Sequence, residues 1–428
     1  MKTSDVSRFF LFRLLVAVFI ILPSVFVFAA ENENNSYLEF KGIITDSTTG
    51  HPMPFASISV EGTNATTVSN SEGEFTIKIL EELADKKLLV QFIGYKTVFV
   101  QLASLKPDHN RIEMEPVAIE LPEISIISKD ATELVQIMMQ KRDVNYPAKE
   151  MHLTSFYRES IKKNRSYASL SEAVVDVYKQ SYSSYKNDIV KMYKARKNTN
   201  YQKLDTLVFK LMGGPVTSLY LDVMKHPDLI FTDEMFKNYT FSFDFSTRID
   251  NQLIYVIDFK PGSDFPEPLY SGRLYIDAET QALKSAVFSL DLKDKDKAAD
   301  LFIVHKPLHA KAIPVQANYR IDYTEKDGKW YYNYSRIELG MKVIWEKKLF
   351  NTHYYATIEM AVTDRDNTVP DRPVKYRDRL RPNVVVSDEA AGFADPEFWG
   401  DFNVIEPEKS IESAIRKIQR QLEKKSDD

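Results

Sequence analysis

The sequence predicts a mainly β protein: an N-terminal seven-stranded antiparallel β-sandwich, then a larger antiparallel β-rich α+β domain with a C-terminal helix. Three observations predict it. Aromatic residues are abundant, with 23 Tyr and 26 Phe among 428 residues, and aromatic and β-branched side chains suit a pleated, half-buried surface. Short strand-like runs recur from Tyr37 onward, punctuated by turn-forming clusters. Helical spacing of apolar residues marks one segment after Asp130 and another after Pro407.

Residues 1–29 read as a signal peptide. Lys2, Arg8 and Arg13 precede an apolar run from Leu14 to Ala30, and Val27 and Ala29 suit the positions that a signal peptidase inspects, which places the cut after Ala29. Pro23 interrupts the run, which argues against an uncleaved anchor. No later stretch is long and apolar enough to predict a membrane helix in the mature chain. Loss of the leader removes three cations and one anion, taking the formal charge from −5 to −7. A mildly acidic exported chain has no electrostatic reason to seek nucleic acid. The chain has no cysteine, which excludes disulfides, cysteine zinc sites, thiol nucleophiles and a lipid-modified N-terminal cysteine.

Residues 36–115 carry the sandwich. Leu38–Ile44, Phe55–Val60, Phe75–Ile79, Leu88–Phe92 and Thr97–Leu102 read as strands, with turns at Asp46–Gly50 and Ser69–Glu74. The ordered pattern Gly42, Asp46, Gly50, Pro52, Pro54, Ala56, Ile58, Val60, Gly62-Thr63, Ser71, Gly73, Phe75 and Ile93-Gly94-Tyr95 resembles the carboxypeptidase-regulatory-like domain, a transthyretin-like sandwich. The resemblance implies a folding and interaction module and supplies no zinc ligands. Such modules also precede outer-membrane receptors, but the remaining chain is too short for a plug and a receptor-sized barrel.

Residues 116–148 form a linker and a short helix: Pro116 and Pro122 suit an extended connection, and Asp130 opens a helix with Leu134, Ile137 and Met138 on one face. Residues 149–407 make the β-rich domain, with hairpin turns such as Asp277–Thr280 and Lys326-Asp327-Gly328. Ser155–Glu159, Glu172–Asp176, Leu274–Asp277 and Phe398-Trp399 with Asn403–Pro407 resemble uncharacterised envelope proteins of Bacteroidetes type. In pattern alone the region is similar to curved-sheet lipoprotein carriers. Residues 408–428 form an amphipathic helix with Ile411, Ala414, Ile415, Ile418 and Leu422 at helical spacing, expected to dock on the sheet.

No catalytic residue, metal site or cofactor is predicted. His305 and His309 are separated by Pro307, which disfavours a helical zinc pair. Asp291, Asp294, Asp296 and Asp300 alternate with lysines and lack the glycine and terminal glutamate of a calcium loop. Asp395 and Glu397 flank aromatics, but a surface turn pinned by Phe398 and Trp399 explains them. A basic and aromatic strip runs from Tyr178 to Lys203, including Lys179, Tyr182 and Tyr185. Its candidate binding residues are Lys191, Tyr193, Lys194, Arg196 and Lys197, suited to an anionic glycan, lipid headgroup or acidic partner. A solvated hairpin face is the plainer explanation.

The expectation is a non-enzymatic binding or scaffolding protein of the bacterial envelope, in the periplasm or on the periplasmic face of the outer membrane. It would meet an envelope protein or glycan. Two alternatives stand beside it: a periplasmic lipid or lipoprotein carrier with a curved sheet, and an envelope glycan hydrolase.

Overall fold

The structure, a computed structural model, describes residues 36–117, 130–199, 214–231, 236–249, 252–262, 269–300, 310–346, 351–366, 374–381, 390–393, 395 and 397–426. The predicted leader, most of the extended connection, and the His305–His309 pair lie outside these residues.

Seven strands build the small N-terminal module: β1 (Tyr37–Asp46), β2 (Ser57–Val60), β3 (Thr66–Val68), β4 (Glu74–Leu80), β5 (Lys87–Gln91), β6 (Val98–Gln101) and β7 (Asn110–Met114). They divide into a three-stranded sheet, β4-β1-β7, and a four-stranded sheet, β3-β2-β5-β6. Inward residues of both sheets, among them Ile44, Phe75, Ile77, Leu88 and Val90, fill one core. One pairing departs from the expected antiparallel pattern. β1 and β7 run parallel, with Ile44 opposite Ile112, and the chain between them is long enough to make the crossover that parallel pairing requires. Gly73 closes the turn before β4 at φ +76°; a Cβ there would lie 2.8 Å from the Ile44 carbonyl oxygen, so only glycine fits.

Among the described residues, eleven strands form the second sheet, and every pairing in it is antiparallel. They are β8 (Met151–Lys163), β9 (Ser166–Lys179), β10 (Ile189–Thr199), β11 (Tyr239–Phe243), β12 (Thr247–Ile249), β13 (Gln252–Pro261), β14 (Tyr270–Asp277), β15 (Leu283–Leu290), β16 (Ala310–Lys326), β17 (Lys329–Trp345) and β18 (Thr352–Asp366). Their order is β10-β9-β8-β18-β17-β16-β15-β14-β13-β11, with β12 also on β13. The β16–β17 hairpin turns through Asp327 and Gly328, both at positive φ, the geometry that matches the right-handed twist of the flanking strands.

One face of this sheet is apolar and is covered by the chain itself. Helix α1 (Ala131–Gln140) begins at Asp130, whose side chain accepts from Thr132 N. It buries Leu134, Val135 and Met138. Behind it come a short turn, α2 (Arg142–Asn145), then α3 (Pro215–Tyr220) and α4 (Lys295–Asp300). Leu219, Val223, Met224, Ala298 and Ala299 join α1 on Val175, Val177, Ile276 and Ile358 of the strands. Helix α5 (Lys409–Ser426) docks by Ile411, Ile415 and Ile418 against Leu170 and Tyr167 of β9, the stripe that its spacing predicts. The Leu422 side chain lies outside the description.

The small module packs on the opposite face of the large sheet. Phe55 and Val68 meet Phe156, Val174 and Tyr334, joined by Trp399 and Ile405 from the C-terminal segment.

Candidate functional site

The segment from Phe398 to Glu408 works as a strap across both modules. β4 is an edge strand, and its exposed backbone groups need partners. The Asn403 side chain supplies them: its Oδ1 accepts from Lys78 N at 2.7 Å and its Nδ2 donates to Lys78 O at 3.0 Å. Thr67 Oγ1 donates to Val404 O at 3.1 Å, and Arg158 Nη2 of β8 donates to Ile405 O at 2.8 Å. Thr76 donates to the Glu406 carboxylate. Ser71 Oγ donates to Glu408, and Glu72 accepts from Lys409 N at the start of α5, so the small module caps the terminal helix.

Beneath the strap Glu172 is fully buried between two guanidiniums, with Arg158 Nε at 2.7 Å and Arg196 Nη2 at 2.6 Å. Burial alone would raise its carboxyl, but Arg158 and Arg196 outweigh burial and hold it below the usual carboxylate range.

The strip predicted from sequence is placed here. A bulge between Met192 and Lys194 leaves Tyr193 unpaired on β10, its ring 4.9 Å from Phe402. Lys191 faces Asp176 at 4.0 Å. The Lys194 ammonium lies 4.4 Å from the Phe398 ring. Arg196 donates to Gly392 O at 3.1 Å and covers Phe393 at 4.5 Å. Strand alternation brings Lys191, Lys194 and Arg196 to the strap face and sends the buried Lys197 to the other, beside Glu159. Asp395 and Glu397 stand exposed at the strap's beginning, Asp395 Oδ1 accepting from Glu397 N at 2.9 Å. Asp294 of the lysine-alternating loop accepts from Lys297 N in the first turn of α4.

Lys179 and Tyr182, read as part of the same surface strip, are instead interior. Lys179 Nζ reaches Asp188 at 2.6 Å and Asp222 at 2.8 Å. Asp222 also accepts from the hydroxyls of Tyr182 at 2.8 Å and Tyr323 at 2.7 Å. Burial raises the Asp222 carboxyl; Lys179 and the two phenols outweigh it and hold the group low. The same carboxylate, after burial itself, raises both phenols well above their ordinary value. Every member has a partner, so this is a satisfied polar core.

An open cleft of about 300 Å³ lies where the small module meets β12–β16. Phe92 and Ile93 after β5 form one wall, and Asp244, Phe245 and Thr247 around β12 form the other. Arg273, Tyr275, Val287 and Arg320 line the sheet side. Phe245 is 68% exposed. Arg273 is held between two carboxylates, Asp258 at 2.9 Å and Asp244 at 3.0 Å. Arg320 binds Asp322 at 2.7 Å and covers the Phe55 and Phe92 rings. Gly94, at φ +87°, donates its N–H to Arg248 O at 3.0 Å, which fixes the Phe92–Gly94 turn against β12. Phe92, Ile93 and Arg320 also line a second, smaller pocket of about 40 Å³. Buried Asn333 lines it, with an Oδ1 that has no hydrogen-bond partner among the described residues; Tyr323 is the one member of the polar core that reaches it.

Sequence reading missed this cleft. The alternation Tyr239, Phe241, Phe243, Phe245 was its signal: the first two rings pack inward, while Phe243 and Phe245 are exposed.

No curated protein matches the sequence. A solved LolA superfamily protein from Nitrosomonas europaea overlaps 57% of this chain and 96% of its own, with 10% identity and a TM-score of 0.23. A DUF1329 family protein from Desulfovibrio piger overlaps the same shares at 10% identity and a TM-score of 0.24. Neither overlap carries functional weight. Residues 40–126 match the family model of the CarboxypepD_reg-like domain, and a larger β-rich region follows them.

Proposed function

We propose that this is an exported binding protein of the bacterial envelope, with no chemistry of its own, and that its ligand enters the cleft between the two modules. One observation carries the reading. The cleft is open, roomy and lined from both modules, whereas the buried ionisable groups of the Lys179–Asp222 and Arg158–Glu172 sets are committed to one another. A site built across a module junction is the usual place for a ligand. The carboxylates beside the cleft, Asp244 and Asp258, are already bonded to Arg273, which suits positioning more than proton transfer.

Export is supported by the basic and apolar leader. No helix among the described residues is long and apolar enough to cross a membrane. A carrier that curls around apolar cargo would first have to displace α1 and α3 from the apolar face; no observation favours that second reading.

The test uses the full chain in intact cells, with a photoreactive residue replacing Phe245 and N-terminal sequencing of the mature protein. The expected outcome is a mature chain beginning at Ala30 in the envelope fraction, with a light-dependent adduct. A cytoplasmic chain retaining residues 1–29, or no adduct at Phe245 alongside adducts at an unrelated surface site, overturns the reading.

A further inference from the structure

We infer that the junction cleft takes an uncharged pyranose oligosaccharide; the inference rests on the cleft being the binding site. Charge comes first. Two cations, Arg273 and Arg320, stand against three anions, Asp244, Asp258 and Asp322, in direct pairs at 2.7 to 3.0 Å. Such a set, with one net negative charge, has no pull on a phosphate, an anionic lipid headgroup or an acidic peptide. What it offers is a rigid array of donors and acceptors. The two carboxylates engage two of the five N–H groups of Arg273, hold its plane fixed and keep lone pairs of their own. Adjacent sugar hydroxyls, each donor and acceptor, match a guanidinium and a carboxylate side by side.

The rings come second. Phe245 stands 68% exposed at the rim, with Phe92 opposite it and Val287 on the floor. An exposed ring beside a fixed polar array suits a ligand with one C–H face and one hydroxyl edge, which describes a pyranose. Strand addition by a peptide is disfavoured at this wall, because Arg248 O of β12 is already bonded to Gly94 N. The adjoining smaller pocket, which shares Phe92, Ile93 and Arg320 with the cleft, supplies a further acceptor, the Asn333 Oδ1 that has no partner among the described residues.

The experiment measures binding of the full mature chain to a printed glycan array. Titration calorimetry with maltotriose, cellotriose, chitotriose and, as the charged control, trigalacturonate follows. Binding of at least one neutral trisaccharide is expected, changing little between low and high salt. F245A and R273M should each weaken it about tenfold or more. Phe245 is largely exposed, so F245A keeps the fold, and thermal melts of both variants check this. No neutral glycan bound, preference for the charged one with strong salt dependence, or unchanged binding in both variants overturns the inference. If the Phe245 photoadduct forms on a protein while no glycan binds, the cleft reading stands and the saccharide class falls. If neither forms, both fall.

Discussion

Phe55 lies nearly parallel to Tyr334, with ring centroids 5.7 Å apart and planes 20° from each other, while its own backbone sits at φ +64°. A bulky residue in the left-handed region is strained. The strain is offset by the stack and by the Arg336 guanidinium, 4.9 Å from the Phe55 ring. This contact fixes the small module on the large sheet. F55A should therefore cost about 1–3 kcal/mol in urea unfolding, because the stack goes and the strain stays. F55G loses the same ring but relaxes the backbone, and should recover about 1 kcal/mol of that. Equal stability of the two variants would remove the strain argument.

Glu172 is the common anion of Arg158 and Arg196. E172Q leaves two buried guanidiniums short of a counter-charge, and should destabilise the chain by about 3–5 kcal/mol. The loss should reach the strap, since Arg158 also holds Ile405 O and Arg196 holds Gly392 O. Limited proteolysis of E172Q should then cut near residues 395–408 sooner than in the wild type. A melt and a cleavage pattern like those of the wild type would contradict this.

Glu406 sits half-buried within the strap, and burial raises its carboxyl above the ordinary glutamate value, the Thr76 bond and Lys41 opposing only part of the effect. A raised folded value means that the folded chain holds this proton more tightly than the unfolded chain. The contribution is therefore full below the unfolded value and is lost as pH rises through the folded one. E406Q keeps an acceptor for Thr76 without the charge. It should melt at or near the wild-type temperature at about pH 4 and above it at about pH 7. A gap that shrinks with rising pH would reverse the sign and refute the assignment.

Asp222 has the opposite linkage. Despite burial, Lys179 and two phenols hold its carboxyl below the ordinary aspartate value, so its contribution is present above that ordinary value and lost as pH falls through the folded one. D222N should cost about 3–5 kcal/mol at neutral pH, leaving Lys179 with Asp188 alone, while Y323F removes one hydrogen bond and costs about 1–2 kcal/mol. Thermal melts across pH separate the two. If D222N and Y323F cost the same, Lys179 does not depend on Asp222.

Local patterns were legible before the structure. The strand runs of the small module, the Asp327-Gly328 turn and the Ile411–Ile415–Ile418 stripe all follow from spacing and turn chemistry. Partner choice was not legible. Alternation identifies β1 and β7 as strands and says nothing about their parallel sense. Lys179 looks like any surface lysine until Asp188, nine residues on, and Asp222, beyond β10, enclose it. Arg196 shows its charge in the sequence, but Glu172 and the aromatics at residues 393 and 398 that neutralise and cover it come from distant segments. The cleft was hidden for the same reason: its walls are far apart in the chain, and only pairing brings them together.

Thr67 and Val404, joined by one hydrogen bond, are separated by 337 positions. Synthesis delivers the first of them long before the second. Until residues 398–408 emerge, the edge of β4 stays bare and ready to pair with a neighbouring chain. Closing so long a loop adds a cost that grows only slowly with length, but such distant pairing is slow to find. A polypeptide ended between residues 366 and 398 would thus keep every described strand and still be prone to aggregate, which makes residues 398–408 a check on whether synthesis ran past the sheets.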